Sequence, residues 1–186
     1  MLELYIPKVE DMWFAQTLQE DPQTMSYNAG WDVNFVGYHP DTGCIDLPRN
    51  HWQAKHGRLV GKEPNIFYAF VREQESGQFL CEVNFHYTAD KNWWDMGILV
   101  YAPLRGQGYG YRSLELLLYH AFIVCGVERL HNYFEDTRAD ALAIHEKSGF
   151  SRSGEEETLR FGQPVRLIHL MLTREEYLQI HPEYAV

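Results

Sequence analysis

The run Arg105-Gly106-Gln107-Gly108-Tyr109-Gly110 sets three alternating glycines behind an arginine. Glycines without Cβ atoms let successive backbone N–H groups converge, which is the chemistry of phosphate binding. An apolar strand-like run, Gly97 to Tyr101, leads into the turn, and a long amphipathic stretch follows it. A helix opening there adds unpaired N–H donors and the positive end of its dipole. Arg105 can add a charge-assisted contact or brace the loop. The turn ends in Gly110-Tyr111-Arg112 and lacks the Lys-Ser/Thr of a Walker loop. Its GxGxG spacing, met mid-chain, is also not the GxGxxG of a dinucleotide fold. Taken alone, the segment also suits a tight turn with no ligand.

A second group of chemically capable residues precedes the strands. Tyr27, Trp31, Phe35, Tyr38 and Trp52 interleave with Asp32, Asp41 and Asp46, a composition that holds a cationic amine as well as it makes a packed surface loop. His51 and His56 do not share a helical face at zinc spacing, so no metal is expected. Cys44, Cys81 and Cys125 form no CxxC pair and read as unpaired thiols of a reducing compartment. Glu155-Glu156-Glu157 reads as a solvated turn.

These groups need a scaffold to position them. The chain of 186 residues, 45% hydrophobic and 23% charged, has the size and composition of one globular domain. Its formal charge of -10 excludes a binder that works by neutralising nucleic-acid phosphates, and would draw in cationic partners. The start, Met1 to Lys8, lacks the pattern of a signal peptide, and no apolar run is long enough to span a bilayer, so the expected location is cytoplasmic with no membrane partner.

The residue pattern predicts a strand at 2–6, a helix at 9–20, an irregular segment at 27–48 and a helix at 49–59. A hairpin follows at 66–71 and 79–85, with Cys81, Val83 and Phe85 on one face and Glu82, Asn84 and His86 on the other. Then come a strand at 94–101, a helix whose apolar face runs from Leu114 to Cys125, a strand at 130–134 and a helix at 136–147. Two strands over 150–172 and a final helix, capped by Thr173 with Glu176, complete the order. The class is α+β, or mixed α/β.

Three segments together resemble one family. Arg105–Gly110 is similar to the R/Q-x-x-G-x-G/A pyrophosphate loop of the GNAT superfamily, the acetyl-CoA-dependent N-acyltransferases. The strand Asp95-Met96-Gly97-Ile98-Leu99-Val100 resembles that family's acid-x-Gly-x-x-Val strand, and Ala141 to Phe150 its A-x-x-L-Y-x-K-x-G-F segment. Asp21-Pro22-Gln23-Thr24-Met25 resembles the D-P-E-V-M segment of the Rim-type branch, which modifies protein N-termini.

The resemblance implies a mostly antiparallel twisted sheet flanked by helices, and a single domain. Within it, 1–64 would form the acceptor region, 65–150 the acetyl-CoA core and 151–186 the closing strands and helix. It implies acetyl-CoA as co-substrate, its pyrophosphate on Arg105, Gly106, Gln107, Gly108, Tyr109 and Gly110, and its pantetheine arm paired with the splayed end of the strand around Ile98, Leu99 and Val100. A backbone N–H of Leu99 or Val100 would face the thioester oxygen. Arg138 stands where relatives often carry an asparagine that meets the cofactor arm. Acetyl transfer would proceed by direct attack of an amine in a ternary complex.

Asp95 holds the position of the relatives' basic or water-relaying glutamate, with Glu82 a second candidate base. His145 replaces the usual acid tyrosine, with Tyr101, Tyr109 and Tyr133 as other donors. The acceptor expected is a small cationic amine, with a protein N-terminus, or a catalytically silent acyl-CoA-binding module, as alternatives. A homodimer is a further expectation from the resemblance.

Overall fold

The computed structural model describes residues 1–185. Its sheet has seven strands: β1 (Leu2–Tyr5), β2 (Ile66–Glu73), β3 (Phe79–Thr88), β4 (Trp93–Val100), β5 (Arg129–Glu135), β6 (Ser151–Arg160) and β7 (Gln163–Thr173). They lie in the order β1-β2-β3-β4-β5-β7-β6, and every pair is antiparallel except β4 with β5. The mixed class and the mostly antiparallel sheet are as the sequence implies.

The alternation of side chains divides the sheet into two faces. One face carries Phe67, Ala69 and Val71 of β2, Val83 and Phe85 of β3, Met96 of β4, and Ile168 and Leu170 of β7. Helix α4 (Tyr109–Tyr119) covers it with Leu114, Leu117 and Leu118, all fully buried. The other face buries Tyr68 and Phe70 under helix α1 (Trp13–Glu20), through Phe14, Ala15 and Leu18. That second cover reaches as far as Leu99 and Tyr101. Beyond it the same face of β3, β4, β5 and β7 presents Glu82, Asp95, His131, Tyr133 and His169, a polar surface behind an apolar one.

Several predicted helices come in two pieces. Val9–Met12 and Arg49–His51 are single 3-10 turns that lead into α1 and into α3 (Trp52–Leu59). The helix predicted to run through Cys125 ends its α-helical part at Tyr119 and continues as a π-turn over His120–Val124, with Gly126 at φ +66 closing it. Helix α5 (Ala139–Lys147) starts three residues later than predicted, and α6 (Arg174–Ile180) carries the Thr173–Glu176 capping box. The segment Glu155-Glu156-Glu157 is not a turn. It lies in β6, where pairing with β7 satisfies its backbone and leaves the carboxylates outside.

Two arginines fasten the irregular segment before β2 to the sheet. Arg160, at the end of β6, donates to Glu135 Oε1 at 2.6 Å, Ala29 O at 2.7 Å and Ser26 O at 2.7 Å. Arg105 donates to Thr24 O at 2.9 Å, Gln23 O at 3.1 Å and Val100 O at 3.3 Å. Thr24 belongs to the short helix α2 (Pro22–Met25), which Asp21 caps through Thr24 N; the Thr24 hydroxyl in turn accepts from Ala102 N. The Asp-Pro segment that resembles the Rim-type branch therefore ties the segment before β2 to the turn after β4 in this chain.

Replacing Arg160 with alanine would strip the buried Glu135 carboxylate of its ion-pair partner, leaving it a 3.4 Å bond from Thr137, and would take a donor from Ala29 O and from Ser26 O. We expect Arg160→Ala to cost about 2–4 kcal/mol, measured by denaturant unfolding against the native chain.

Candidate active site

Strands β4 and β5 pair only at Trp94↔Leu130 and Asp95↔His131, and then part. From Gly97 onward, β4 bonds β3 on one side and leaves its other edge open. Tyr101 N donates to Leu80 O across the β3 side, so antiparallel alternation turns Leu99 toward β3 as well. The groups that face the gap are those of Ile98 and Val100. Of the two residues expected to meet the thioester oxygen, Val100 has the outward backbone and Leu99 does not.

The glycine turn closes the open end of this gap. Gly106 and Gly108 have φ of +75 and +78, and a Cβ built on either would meet nothing within 4 Å. Gly108 caps α4 in the left-handed conformation. Among the described residues, the N–H groups from Gly106 to Tyr111 have no hydrogen-bond partner. Unpaired donors, open space above the glycines and a helix N-terminus fit a pyrophosphate. The Arg105 side chain is engaged by Gln23, Thr24 and Val100, so it braces the loop and leaves phosphate contact to the backbone.

The two candidate bases share the polar face but not a place on it. Glu82 lies opposite Leu99 in the register, beside the open stretch, and Asp95 lies at the vertex where β4 and β5 still pair. Four residues of strand separate those positions, about 13 Å. Glu82 is 9% exposed and accepts the Tyr68 hydroxyl at 2.6 Å. Burial and the Glu82 charge push the Tyr68 phenol well above its ordinary value, so it stays a donor. Asp95 accepts from Thr88, from Trp93 Nε1 at 3.2 Å and from His131 Nδ1 at 2.6 Å. Burial pushes the Asp95 carboxyl up, but the bonds from Thr88 and His131 outweigh it and hold the group below its ordinary value.

His145 is the clearest departure from the sequence reading. The expected proton donor is 1% exposed, with Phe134 and Phe150 rings packed at 5.2 and 5.0 Å. Its Nδ1 donates to Ala141 O at 2.8 Å, and its Nε2 faces Asn132 Nδ2 at 2.9 Å. Asn132 Oδ1 already accepts from Tyr133 N, so the amide turns its NH₂ to His145. The ring is neutral and both nitrogens are engaged. Burial lowers its pKa to about 4. Such a ring holds α5 to β5 and has no proton to give near neutrality.

The Arg138 guanidinium lies 5.0 Å from the Tyr27 ring and 5.6 Å from the Phe134 ring, bridging the segment before β2 to β5. In the segment before β2, Trp52 Nε1 donates to Gln16 and Leu47, the Tyr38 hydroxyl to Asn28 O, and Asp46 pairs with His39. These three residues organise the loop. Trp31, Asp32 and Asp41 instead line an open cleft of about 550 Å³ with Leu159 and Phe161 of the β6–β7 hairpin. His56 bonds Pro7 O at 2.9 Å, away from any ligand cluster. The sequence reading missed His131 and His169, whose rings meet at 2.9 Å; strand alternation alone would put both on the polar face.

The model of the acetyltransferase (GNAT) domain matches residues 2–151. The chain belongs to the GNAT family. It is an acetyl-CoA-dependent acetyltransferase by that membership. Among solved structures, it is similar to the spermidine N-acetyltransferase of Vibrio cholerae in complex with CoA and spermine, at 14% identity and a TM-score of 0.76 over 95% of this chain and 98% of that one. A GNAT-family acetyltransferase from Bacillus anthracis matches at 12% identity and a TM-score of 0.71, over 94% and 95% of the two chains. Identities this low speak for the fold alone. No curated protein matches in sequence. No helix among the described residues is long and apolar enough to cross a membrane.

Two outcomes follow from this geometry. Gly108→Glu should abolish acetyl-CoA binding in calorimetry, because a carboxylate would enter the anion cradle; a melting temperature within a few degrees of native shows the fold intact. His145 sits below its unfolded value of 6.5, so the unfolded chain binds the proton more tightly and stability falls as pH falls. The ring should cost about 2 kcal/mol between pH 6.5 and pH 5. His145→Phe should flatten that part of the stability profile, followed by denaturant unfolding at each pH.

Proposed function

We propose that the chain moves the acetyl group of acetyl-CoA to the primary amine of a small cationic molecule, by direct attack in a ternary complex. The observation that carries this reading is the parted β4–β5 edge, open at Ile98 and Val100, leading from the glycine turn to a carboxylate-bearing face. A thioester arm extended along that edge would bring its carbonyl to the surface where Glu82 and Asp95 lie.

Glu82 is the better-placed base. It borders the open stretch and has one carboxylate oxygen bonded to Tyr68, whereas both oxygens of Asp95 already accept from neighbours. Val100 N–H is the donor for the oxyanion. A cationic acceptor is supported by the cleft that combines Asp32 and Asp41 with Trp31 and Phe161, since carboxylates and aromatic faces both attract an ammonium group. The similar Vibrio cholerae enzyme is named for spermidine and was solved with spermine, which agrees with this acceptor class.

Release of thiol from acetyl-CoA, measured against polyamines, aminoglycosides and peptides with free N-termini, tests the reading. We expect turnover with a polyamine-like amine. Turnover only with peptides would shift the assignment to a protein N-terminal acetyltransferase, and tight acetyl-CoA binding without release would mark a silent binding module. Glu82→Gln should lower kcat by about a hundredfold or more, in the range for loss of a general base, with acetyl-CoA affinity unchanged.

A further inference from the structure

Among the described residues, one group of three His, Cys, Asp or Glu side chains gathers its ligand atoms within 4.8 Å of one another: Glu63, His120 and Cys125. The spacing that set His51 and His56 aside does not detect this group, because it is the fold that brings residue 63 to residue 120. Glu63 lies in the turn before β2, while His120 opens the π-turn at the end of α4 and Cys125 follows its last residue.

The π-turn is what pairs the second and third donors. In an uninterrupted α-helix, residues five apart project about 140° from each other, and His120 and Cys125 would look to different sides. A π-turn stacks residue i+5 over residue i, and here Cys125 N donates to His120 O at 2.9 Å. Such single π-turns are frequent at functional sites.

Neighbours hold the donors in place. His120 stacks on Phe67 of β2 with ring centroids 4.0 Å apart, and its side chain is 20% exposed against 42% for Glu63. The turn that carries Glu63 is pinned beside it: Pro64 O accepts from Trp94 Nε1 at 2.9 Å, and Asn65 O from Tyr87 N at 2.7 Å. Cys125 is the partly buried thiol, whereas Cys44 and Cys81 are buried.

A carboxylate, an imidazole and a thiolate are the three ligand types of zinc. Zinc bonds of about 2.0–2.1 Å at the tetrahedral angle set nitrogen and oxygen about 3.3 Å apart. His120 Nε2 already lies 3.2 Å from Glu63 Oε1. Sulfur, on a bond of about 2.3 Å, belongs about 3.6 Å from either atom. Cys125 Sγ, within 4.8 Å of both, therefore has about 1.2 Å at most to close. One thiolate and one carboxylate balance the charge of the ion, and the helix that ends here presents the negative end of its dipole.

We propose that Glu63, His120 and Cys125 form a zinc site that clips the turn before β2 to the end of α4, with a water completing the tetrahedron. On binding, the Cys125 thiol passes its proton to solvent, and neutral His120 keeps its proton on Nδ1. The sulfur, His120 Nε2 and a Glu63 oxygen then donate lone pairs to the ion, and nothing is oxidised or reduced. The site lies about 16 Å along α4 from the glycine turn, so it holds the helix and takes no part in acetyl transfer. It does not depend on the proposed function.

Titration of the chelator-stripped full chain with zinc, and with cobalt(II) as a visible reporter, tests the site. We expect a single ion per chain, the strong visible bands of tetrahedral cobalt and a sulfur-to-metal charge-transfer band in the near ultraviolet. Zinc about a hundredfold above its Kd should raise the melting temperature by roughly 5–10 °C. Cys125→Ser should lose the charge-transfer band. Cys125→Ser and Glu63→Gln should both weaken zinc binding more than about tenfold, the loss that even a group behind a ligand causes. Glu63 is exposed, so Glu63→Gln should melt with the metal-free native chain and keeps the test open if Cys125→Ser fails to fold. An octahedral cobalt spectrum without the sulfur band would overturn the site. So would zinc binding that is unchanged in Glu63→Gln, or a native melting temperature that zinc does not raise.

Discussion

The parting of two parallel strands is the constraint around which the molecule is arranged. Buried backbone N–H and C=O groups are costly to leave unpaired, yet β4 gives up its partner after Asp95. The fold tolerates this because everything adjoining the gap is tied down. β3 pairs with the whole of β4 on the far side, β7 pairs with the whole of β5, and α4 packs Leu114, Leu117 and Leu118 beneath. Arg105 donates to Val100 O, one of the groups that the parting frees. An edge that is open, but rigid on three sides, suits an extended molecule that completes the sheet.

The two faces of the sheet divide the work between them. The α4 face is apolar from β2 to β7, and its packing fixes the strands. The opposite face is apolar only under α1, and grows polar toward β5 and β7. Carboxylates and imidazoles can lie there because each has a partner: Glu82 has Tyr68, Asp95 has three donors, and Glu135 has Arg160. His145 lies outside this polar set. Its low exposure and paired nitrogens make it part of the packing between α5 and β5, although a histidine in a helix gives no sign of this in sequence.

What could be read from the residues follows from how local each signal is. The glycine turn, the alternation of Cys81, Val83 and Phe85 and the Thr173 cap depend on near neighbours, and each takes its expected form. The parting of β4 and β5 was available only through the likeness of three short segments to a family. Features that depend on contacts between distant segments were not legible. Of the two roles open to Arg105 in the sequence, the brace is set by the carbonyls of Gln23 and Thr24, some eighty residues earlier, which lie within reach. The pair of His131 and His169 needs the antiparallel register of β5 and β7, which no local pattern records. The π-turn at His120–Val124 breaks a period that the apolar spacing carries smoothly to Cys125.

The β6–β7 hairpin turns through Phe161 and Gly162, both with positive φ, and the Phe161 ring fills the place where a side chain on Gly30 would stand. Phe161 N also donates to Gly30 O at 2.7 Å. Two stretches more than a hundred residues apart thus share one wall of the cleft lined by Trp31, Asp32 and Asp41. If that cleft holds the amine as proposed, acceptor preference is a property of a composite surface. A loop grafted alone from a relative would arrive without its counterpart, and the two segments must change together for the cleft to take a different molecule.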